Sequence, residues 1–261
     1  MIRLYDHPLS PYAQKVRIAL REKNLAFEAV LPGALGTGGA AGEFLAVSPR
    51  AEVPALIDGD AAVFDSTITL EYIEDKWPSP PLRPHGSAER ARARMIEEIM
   101  DTHYEAINWG LGEVGWFKRA EGELAERLSA SAARQRTGFH AWLERGLGEA
   151  PWFNGDAFGW ADVCVAPYLA AAAALGDPPA KDSKLASWLR RVVARESVRR
   201  TVDEARAFDR GSVDVADLVR RGLFKREYRD HRLEWMIKSG GLEVVLKGLE
   251  ADNIRFAPEF H

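Results

Sequence analysis

A small α/β unit followed by an all-helical unit is the architecture this sequence predicts, and three observations carry that prediction. Strand-type segments at 2–5, 27–31, 53–57 and 61–64 are interleaved with helical patterns starting at 11 and 66, the order of a compact α/β fold. Four prolines between 78 and 86 break any helix or central strand and mark a boundary. Beyond it, apolar residues recur at helical spacing up to about residue 206, where the pattern turns basic. Three segments follow: 1–78, 88–206 and a helical extension over 207–261.

The elements are justified in chain order. After the strand at 2–5, Ser10 and Pro11 supply a capping side chain and a proline for a first helical turn, with Tyr12, Val16, Ala19 and Leu20 at helical spacing. Asp58-Gly59 is the turn of a hairpin that joins 53–57 to 61–64. Asp65-Ser66 precedes the next helix, with Ser66 as its expected cap. In the second unit, Ile96, Ile99, Met100, His103 and Ile107 form one helical face. Phe139, Trp142, Leu143 and Leu147 form another, and Leu185, Trp188, Leu189, Val192 and Val193 a third. These faces predict a helical bundle. The apolar run 163–175 is about thirteen residues long, short of the roughly twenty that span a bilayer, and reads as a buried helix. In the extension, Arg220, Arg221, Lys225, Arg226, Arg229 and Arg232 alternate with acidic residues and read as a solvated helix face. A last stripe, Leu242, Val245, Leu246 and Leu249, is expected to bury itself near the mouth of a cleft, with Trp235 and Met236 as apolar cover, the alternative being a neighbouring subunit.

Composition narrows the function. The 261 residues carry 35 basic and 39 acidic side chains, a net charge of −4, so no global field recruits nucleic acid or an anionic membrane. A single cysteine, Cys164, provides neither an internal disulfide nor a thiolate zinc cluster, and the six histidines show no paired ligand spacing. No metal is expected. Charge within the first six residues argues against a signal peptide and for a cytoplasmic protein. The glycine-rich run at 33–39 lacks a following Gly-Lys-Ser/Thr and reads as a connection, not a phosphate loop.

Three constellations remain. Ser10 at a strand-to-helix junction is either an ordinary cap or a hydroxyl poised beside a helix terminus that stabilises an anion. Val53-Pro54 at the start of a strand marks an edge or a turn. A cis bond there turns the Val53 backbone toward an added extended peptide. Asp65-Ser66 is a cap or, with its neighbouring amides, a carboxylate site.

Together, Ser10-Pro11-Tyr12 with Lys15-Val16-Arg17-Ile18-Ala19-Leu20, then Val53-Pro54, then Asp65-Ser66-Thr67 resemble the cytosolic glutathione transferases over roughly residues 2–205. The resemblance implies a thioredoxin-like N-terminal domain followed by a helical-bundle C-terminal domain, with glutathione as co-substrate, a small apolar electrophile as partner and a homodimer. It implies that Ser10 is the catalytic hydroxyl. Glu52, Val53 and Pro54 would hold glutathione, with Pro54 cis and Val53 pairing the cysteinyl backbone, and Asp65 and Ser66 would hold the γ-glutamyl group. Tyr5 on the first strand is the rival hydroxyl, or a core aromatic. Serine at position 10 implies thiolate activation for detoxification-type transfer and not thiol–disulfide exchange. Alternatives are a glutathione-dependent lyase or isomerase, such as an aryl-ether-cleaving relative, and a non-catalytic ligand-binding protein of the same fold. Candidates for the electrophile wall are Leu9, Tyr12, His103, Ile107, Trp109, Trp116 and Phe117. Glu52 departs from the family, which often has glutamine or lysine there, so the glycyl end of glutathione is held differently. Gly159-Trp160-Ala161-Asp162 matches the family's helix-capping motif in part.

Overall fold

The structure, a computed structural model, describes residues 1–33, 35–37, 42–208 and 214–256. Residues 34 and 38–41 of the glycine-rich connection lie outside the described residues. Strands β1 (Ile2–Tyr5), β2 (Phe27–Val30), β3 (Ala55–Asp58) and β4 (Ala61–Phe64) form one sheet in the order β2-β1-β3-β4, with β1 parallel to β2 and the remaining pairs antiparallel. Tyr5 lies opposite Ala55, and Ala55 opposite Phe64. The chain therefore leaves β1, enters β3 and leaves β4 at the same end of the sheet.

Side chains alternate across the sheet with a period of two. Ile2, Leu4 and Leu56 pack against Val16, Leu20 and Ile73 from helices α1 (Pro11–Glu22) and α3 (Ser66–Lys76). Tyr5 and Ala55 face the other way, onto Phe44 and Val47 of the short helix α2 (Glu43–Val47).

The bundle begins with α4 (Ser87–Ile99), which runs through a π-helical turn, Met100–Tyr104, into α5 (Glu105–Gly115). A π turn inserts an extra residue and rotates the following face. Met100, Tyr104 and Ile107 are buried, but His103, read from the sequence as part of that face, is exposed and lies beside Phe139. Helices α6 (Gly122–Leu147), α7 (Trp160–Ala174), α8 (Lys184–Ala194) and α9 (Glu196–Ala207) complete the bundle. Helix α7 is buried almost all round because it is the central element. Its first turn is tied down by Asp162, which accepts from Gly159 N (3.1 Å), Phe153 N (2.9 Å) and Trp188 Nε1 (2.7 Å). Glycine at position 159 suffices because the aspartate caps from inside the helix. No helix among the described residues is long and apolar enough to cross a membrane.

Helix α1 joins the two units through charge. Lys15 is fully buried, and its ammonium donates to Glu97 (2.8 Å) and Asp101 (2.5 Å). Glu97 also accepts from Trp160 Nε1 (2.6 Å) and Thr67 Oγ1 (2.9 Å), and Asp101 from Tyr168 Oη (2.7 Å). Burial disfavours the ionised form of all three, yet mutual attraction holds Lys15 above its usual range and Glu97 below its own. Asp101, beside the Glu97 charge, is left at about 6. Arg17 pairs with Asp6 and with Glu204, and Glu204 also accepts from Arg21 at 2.6 Å, which fastens α1 to α9.

The extension comprises α10 (Val215–Arg220), β5 (Arg226–Glu227), α11 (Asp230–Lys238), α12 (Leu242–Glu250) and β6 (Ile254–Arg255), so it is not purely helical: β5 and β6 pair in parallel. Tyr228, Trp235, Met236, Val244, Val245 and Ile254 form a core with Ala106, Ile107, Trp109 and Leu128 of α5 and α6. Gly110 permits the approach, because a Cβ there would collide with the Trp235 indole. The stripe read from the sequence is corrected. Leu242, Leu246 and Leu249 are about half exposed, and Val244, Val245 and Gly248 form the buried side of α12. Met236 and Leu128 crowd Gly241 just before α12, leaving no room for a Cβ there.

Replacing Lys15 with methionine leaves Glu97 and Asp101 facing each other without a cation, and is expected to cost about 3–5 kcal/mol at neutral pH. Denaturant unfolding measures it. A loss below about 1 kcal/mol would show that the two carboxylates are adequately held by Trp160, Thr67 and Tyr168.

Candidate active site

The sheet register assembles the site. The segment after Tyr5 carries Leu9 and Ser10, the segment before Ala55 carries Glu52, Val53 and Pro54, and the segment after Phe64 carries Asp65 and Ser66. All emerge at one end of the sheet. Helices α1 and α3 also begin there, and their unpaired amides and dipoles favour an anion.

Ser10 is the N-cap of α1, and its hydroxyl accepts from Ala13 N at 3.3 Å. That bond is long, and it uses the oxygen only as an acceptor. The hydroxyl proton remains available to a ligand, so the capping and functional readings are compatible. The residue is partly exposed. Tyr5 is different: its phenol donates to Glu43 Oε2 at 2.5 Å and its ring packs against Phe44. Burial, with the Glu43 hydrogen bond, raises its pKa. It is a core aromatic fastened to α2.

The Val53–Pro54 peptide is cis. Helix α3 is capped by Asp65, not by Ser66 as read from the sequence. Asp65 adopts a φ of 76° and accepts from Thr67 N (3.0 Å) and Ile68 N (3.4 Å), and Ser66 is the first helical residue. Aspartate tolerates this left-handed conformation because its short side chain bonds locally. Arg50 Nη2 donates to Asp65 Oδ2 at 2.9 Å and pairs through Nε with Glu52 at 3.2 Å. Burial raises the Asp65 carboxyl, but Arg50 and the helix amides outweigh it, and the net shift is downward.

The seven candidates for an electrophile wall fall in different surroundings among the described residues. His103 is exposed on the far side of the π turn, and Ile107 is core. Tyr12 donates to the Asp101 carbonyl (2.6 Å) and meets Tyr168 edge-on. Trp109 is met edge-on by Tyr228 at 4.7 Å, with the guanidinium of Arg226 at 4.9 Å and of Arg232 at 5.4 Å from its ring. Phe117 stacks on Phe224, with Arg226 3.7 Å from its centroid. Trp116 is 39% exposed, and Leu9 is partly buried. The extension packs over α5 and covers Ile107, Trp109 and Phe117.

Of its arginines, Arg220 and Arg221 are exposed as a solvated face would have them, but Arg226 and Arg232 are not. Arg226 pairs with Glu113, and Arg232 with Glu105 at 2.7 Å. Burial alone would raise Glu105, but Arg232 and His231 pull it down to about 2. Sequence reasoning missed these partners, together with Arg50, Glu227 and Arg229, because the pairs join residues far apart in the chain and no local pattern announces them. The lone signal was the density of arginine among acidic residues.

Glu227 of β5 reaches the loop before the cis-proline. Glu52 Oε1 and Glu227 Oε1 are both buried without a donor among the described residues, and a proton held on Glu52 would serve both. Burial, the hydrogen bond to Glu227 and its charge raise Glu52 to about 7, against the pull of Arg229 and Arg50. Glu227 receives that proton's hydrogen bond and stays below its usual range, beside Arg255 and Arg232. The folded state thus holds a proton that the unfolded state releases near 4.5, so the contact weakens as pH rises from there to about 7 and levels off above. Amide hydrogen exchange across 226–238, corrected for intrinsic rates, should therefore quicken from pH 5 to 8. Glu52→Gln, a permanent donor to Glu227, should keep that segment protected at pH 8, and equal protection of the unaltered protein at both pH values would contradict the shared proton.

Comparison with known proteins bears on this geometry. The family model "Glutathione S-transferase, N-terminal domain" matches residues 4–81, and "Glutathione S-transferase, C-terminal domain" matches residues 117–191. Glutathione S-transferase 1 of Dianthus caryophyllus is 31% identical over 65% of this chain and 76% of its own length. A stringent starvation protein A homolog of Coxiella burnetii is 27% identical over 78% of this chain and 93% of its own length. The crystal structure of a glutathione S-transferase from Rhodospirillum rubrum superposes with a TM-score of 0.70 at 30% identity, covering 84% of this chain and 99% of that one.

Proposed function

This chain belongs to the cytosolic glutathione transferase superfamily, and we propose that it binds glutathione at the sheet end built by Ser10, Val53-Pro54 and Asp65-Ser66 and activates its thiol. The observation that carries the reading is the partly exposed Ser10 hydroxyl at the start of α1, its oxygen engaged as a cap and its proton still available. The residues fit the tripeptide by charge. The γ-glutamyl end meets an acidic cap and the amides of α3, and the backbone of Val53, before Pro54, is oriented for an extended peptide. Glutathione supplies a nucleophilic thiolate, which attacks an apolar electrophile. A thiol of pKa near 8.5 is only a few per cent ionised at pH 7, and lowering it by about two units takes roughly 2.7 kcal/mol. Ser10 would donate to the sulfur while the α1 terminus stabilises its charge.

Ser10→Ala is expected to leave glutathione affinity nearly unchanged while raising the pKa of the bound thiol and lowering turnover by a hundredfold or more, on the order of an activating hydrogen bond. Thiolate absorbance of the binary complex against pH reads the first effect directly. An unchanged titration in this variant, with the loss appearing in Tyr5→Phe, would move the assignment to Tyr5. Asp65→Ala should weaken glutathione binding by about 1–3 kcal/mol in calorimetry. Unaltered affinity would refute its role.

One observation favours a second reading, a protein that keeps the glutathione site without transferase turnover. The extension packs on two of the residues expected to face an acceptor, with Tyr228 and Arg226 against Trp109 and Arg226 against Phe117. The resemblance to a stringent starvation protein A homolog gives that reading a relative whose name is not that of a transferase. Glutathione binding without turnover of aryl halides, epoxides or β-aryl ethers would support it. Turnover of any of these supports the transferase, and of the ethers its lyase form. Dimerisation through the family's usual interface and a cytoplasmic setting belong to the same proposal.

A further inference from the structure

Arg229 stands between the two halves of the site. It lies in the last turn before α11, and its charge is felt by both Tyr12, two residues after Ser10, and Glu52, the residue before Val53. The other arginines nearby are committed. Arg50 bridges Asp65 and Glu52, Arg226 is held by Glu113, Arg232 by Glu105, and Arg255 donates to Glu227 at 2.6 Å. Arg229 makes a single ion pair among the described residues, a loose one at 3.5 Å to Glu52, and its side chain is 30% exposed. The carboxylate it faces is itself partly neutralised by the proton shared with Glu227.

An extended tripeptide advances about 3.3 Å per residue. With its γ-glutamyl end at Asp65 and its cysteinyl backbone along Val53, its glycyl carboxylate runs out past Glu52. Two glutamates without a free cation would repel that carboxylate. We propose that Arg229, supplied by the C-terminal extension, holds the glycyl carboxylate of glutathione and so determines the preference for the intact tripeptide over ligands lacking this charge. The inference rests on the glutathione reading above. It divides the work between two arginines: Arg50 orders the γ-glutamyl end through Asp65, and Arg229 takes the other end. It also gives the extension a part in ligand recognition in addition to its packing on α5, and Glu52 acquires a use as the residue that orients Arg229.

Calorimetric affinities of the full chain for glutathione and for its glycyl monoethyl ester, which lacks the charge, test this in the unaltered protein, Arg229→Gln and Arg229→Lys. The unaltered protein should bind the ester about tenfold more weakly than glutathione, the scale of a charge-assisted hydrogen bond. Arg229→Gln should lose about tenfold for glutathione and nothing for the ester, and Arg229→Lys should recover part of the loss. Equal weakening of both ligands by Arg229→Gln, or equal affinity of the unaltered protein for both, overturns the role of Arg229 while leaving the glutathione site intact. No binding of either ligand by the unaltered protein overturns the glutathione reading and this inference together.

Discussion

The buried ammonium of Lys15 is the constraint on which the rest of the structure depends. A charge without solvent needs partners on every side, and these come from four elements: Glu97 on α4, Asp101 in the π turn, and, through those carboxylates, Thr67 on α3 with Trp160 and Tyr168 on α7. Such a cluster is weak evidence for stability, since desolvation offsets most of the attraction. Its effect is on placement. Lys15 sits four residues into α1, so fixing it fixes the helix start that carries Ser10, and the same carboxylates fix the start of α3 and the turn beside Tyr12.

The extension redistributes charge around that frame. Each buried carboxylate on α5, Glu105 and Glu113, finds an arginine from 226–232, and the aromatic face of Trp109 and Phe117 is covered by guanidinium planes and by Tyr228 and Phe224. Arginine suits this duty because its delocalised charge stacks on rings while its edges hold carboxylates. At the sheet end the extension reaches the loop before the cis-proline, where Arg229 pairs with Glu52 at 3.5 Å.

Much of this was legible residue by residue. The capped start of α1 at Ser10-Pro11, the hairpin at Asp58-Gly59 and the buried helix begun before residue 163 all follow from local conformational preferences, and the structure has each of them. The segments that carry Ser10, Val53-Pro54 and Asp65-Ser66 were legible for the same reason, since strand ends and helix starts announce themselves by turn and cap chemistry. What failed did so where a tertiary contact overrode periodicity. The π turn rotated His103 off its face, a left-handed aspartate took the cap from Ser66, and α12 puts Val244, and not Leu246, into the core it shares with α5 and α6.

By itself the sequence determined the order of elements from β1 to α3 and the three segments, at Ser10, Val53-Pro54 and Asp65-Ser66, that the register brings to one end of the sheet, because each is encoded in residues adjacent in the chain. Only the tertiary structure decided that Lys15 and Arg17 point inward, that the basic segment 226–232 neutralises buried acids instead of facing water, and that Arg229 and Glu227 stand beside Glu52. Those pairings join positions far apart in the chain. Whether a charge is paired and buried or free and solvated depends on which distant group reaches it, and no local pattern records that.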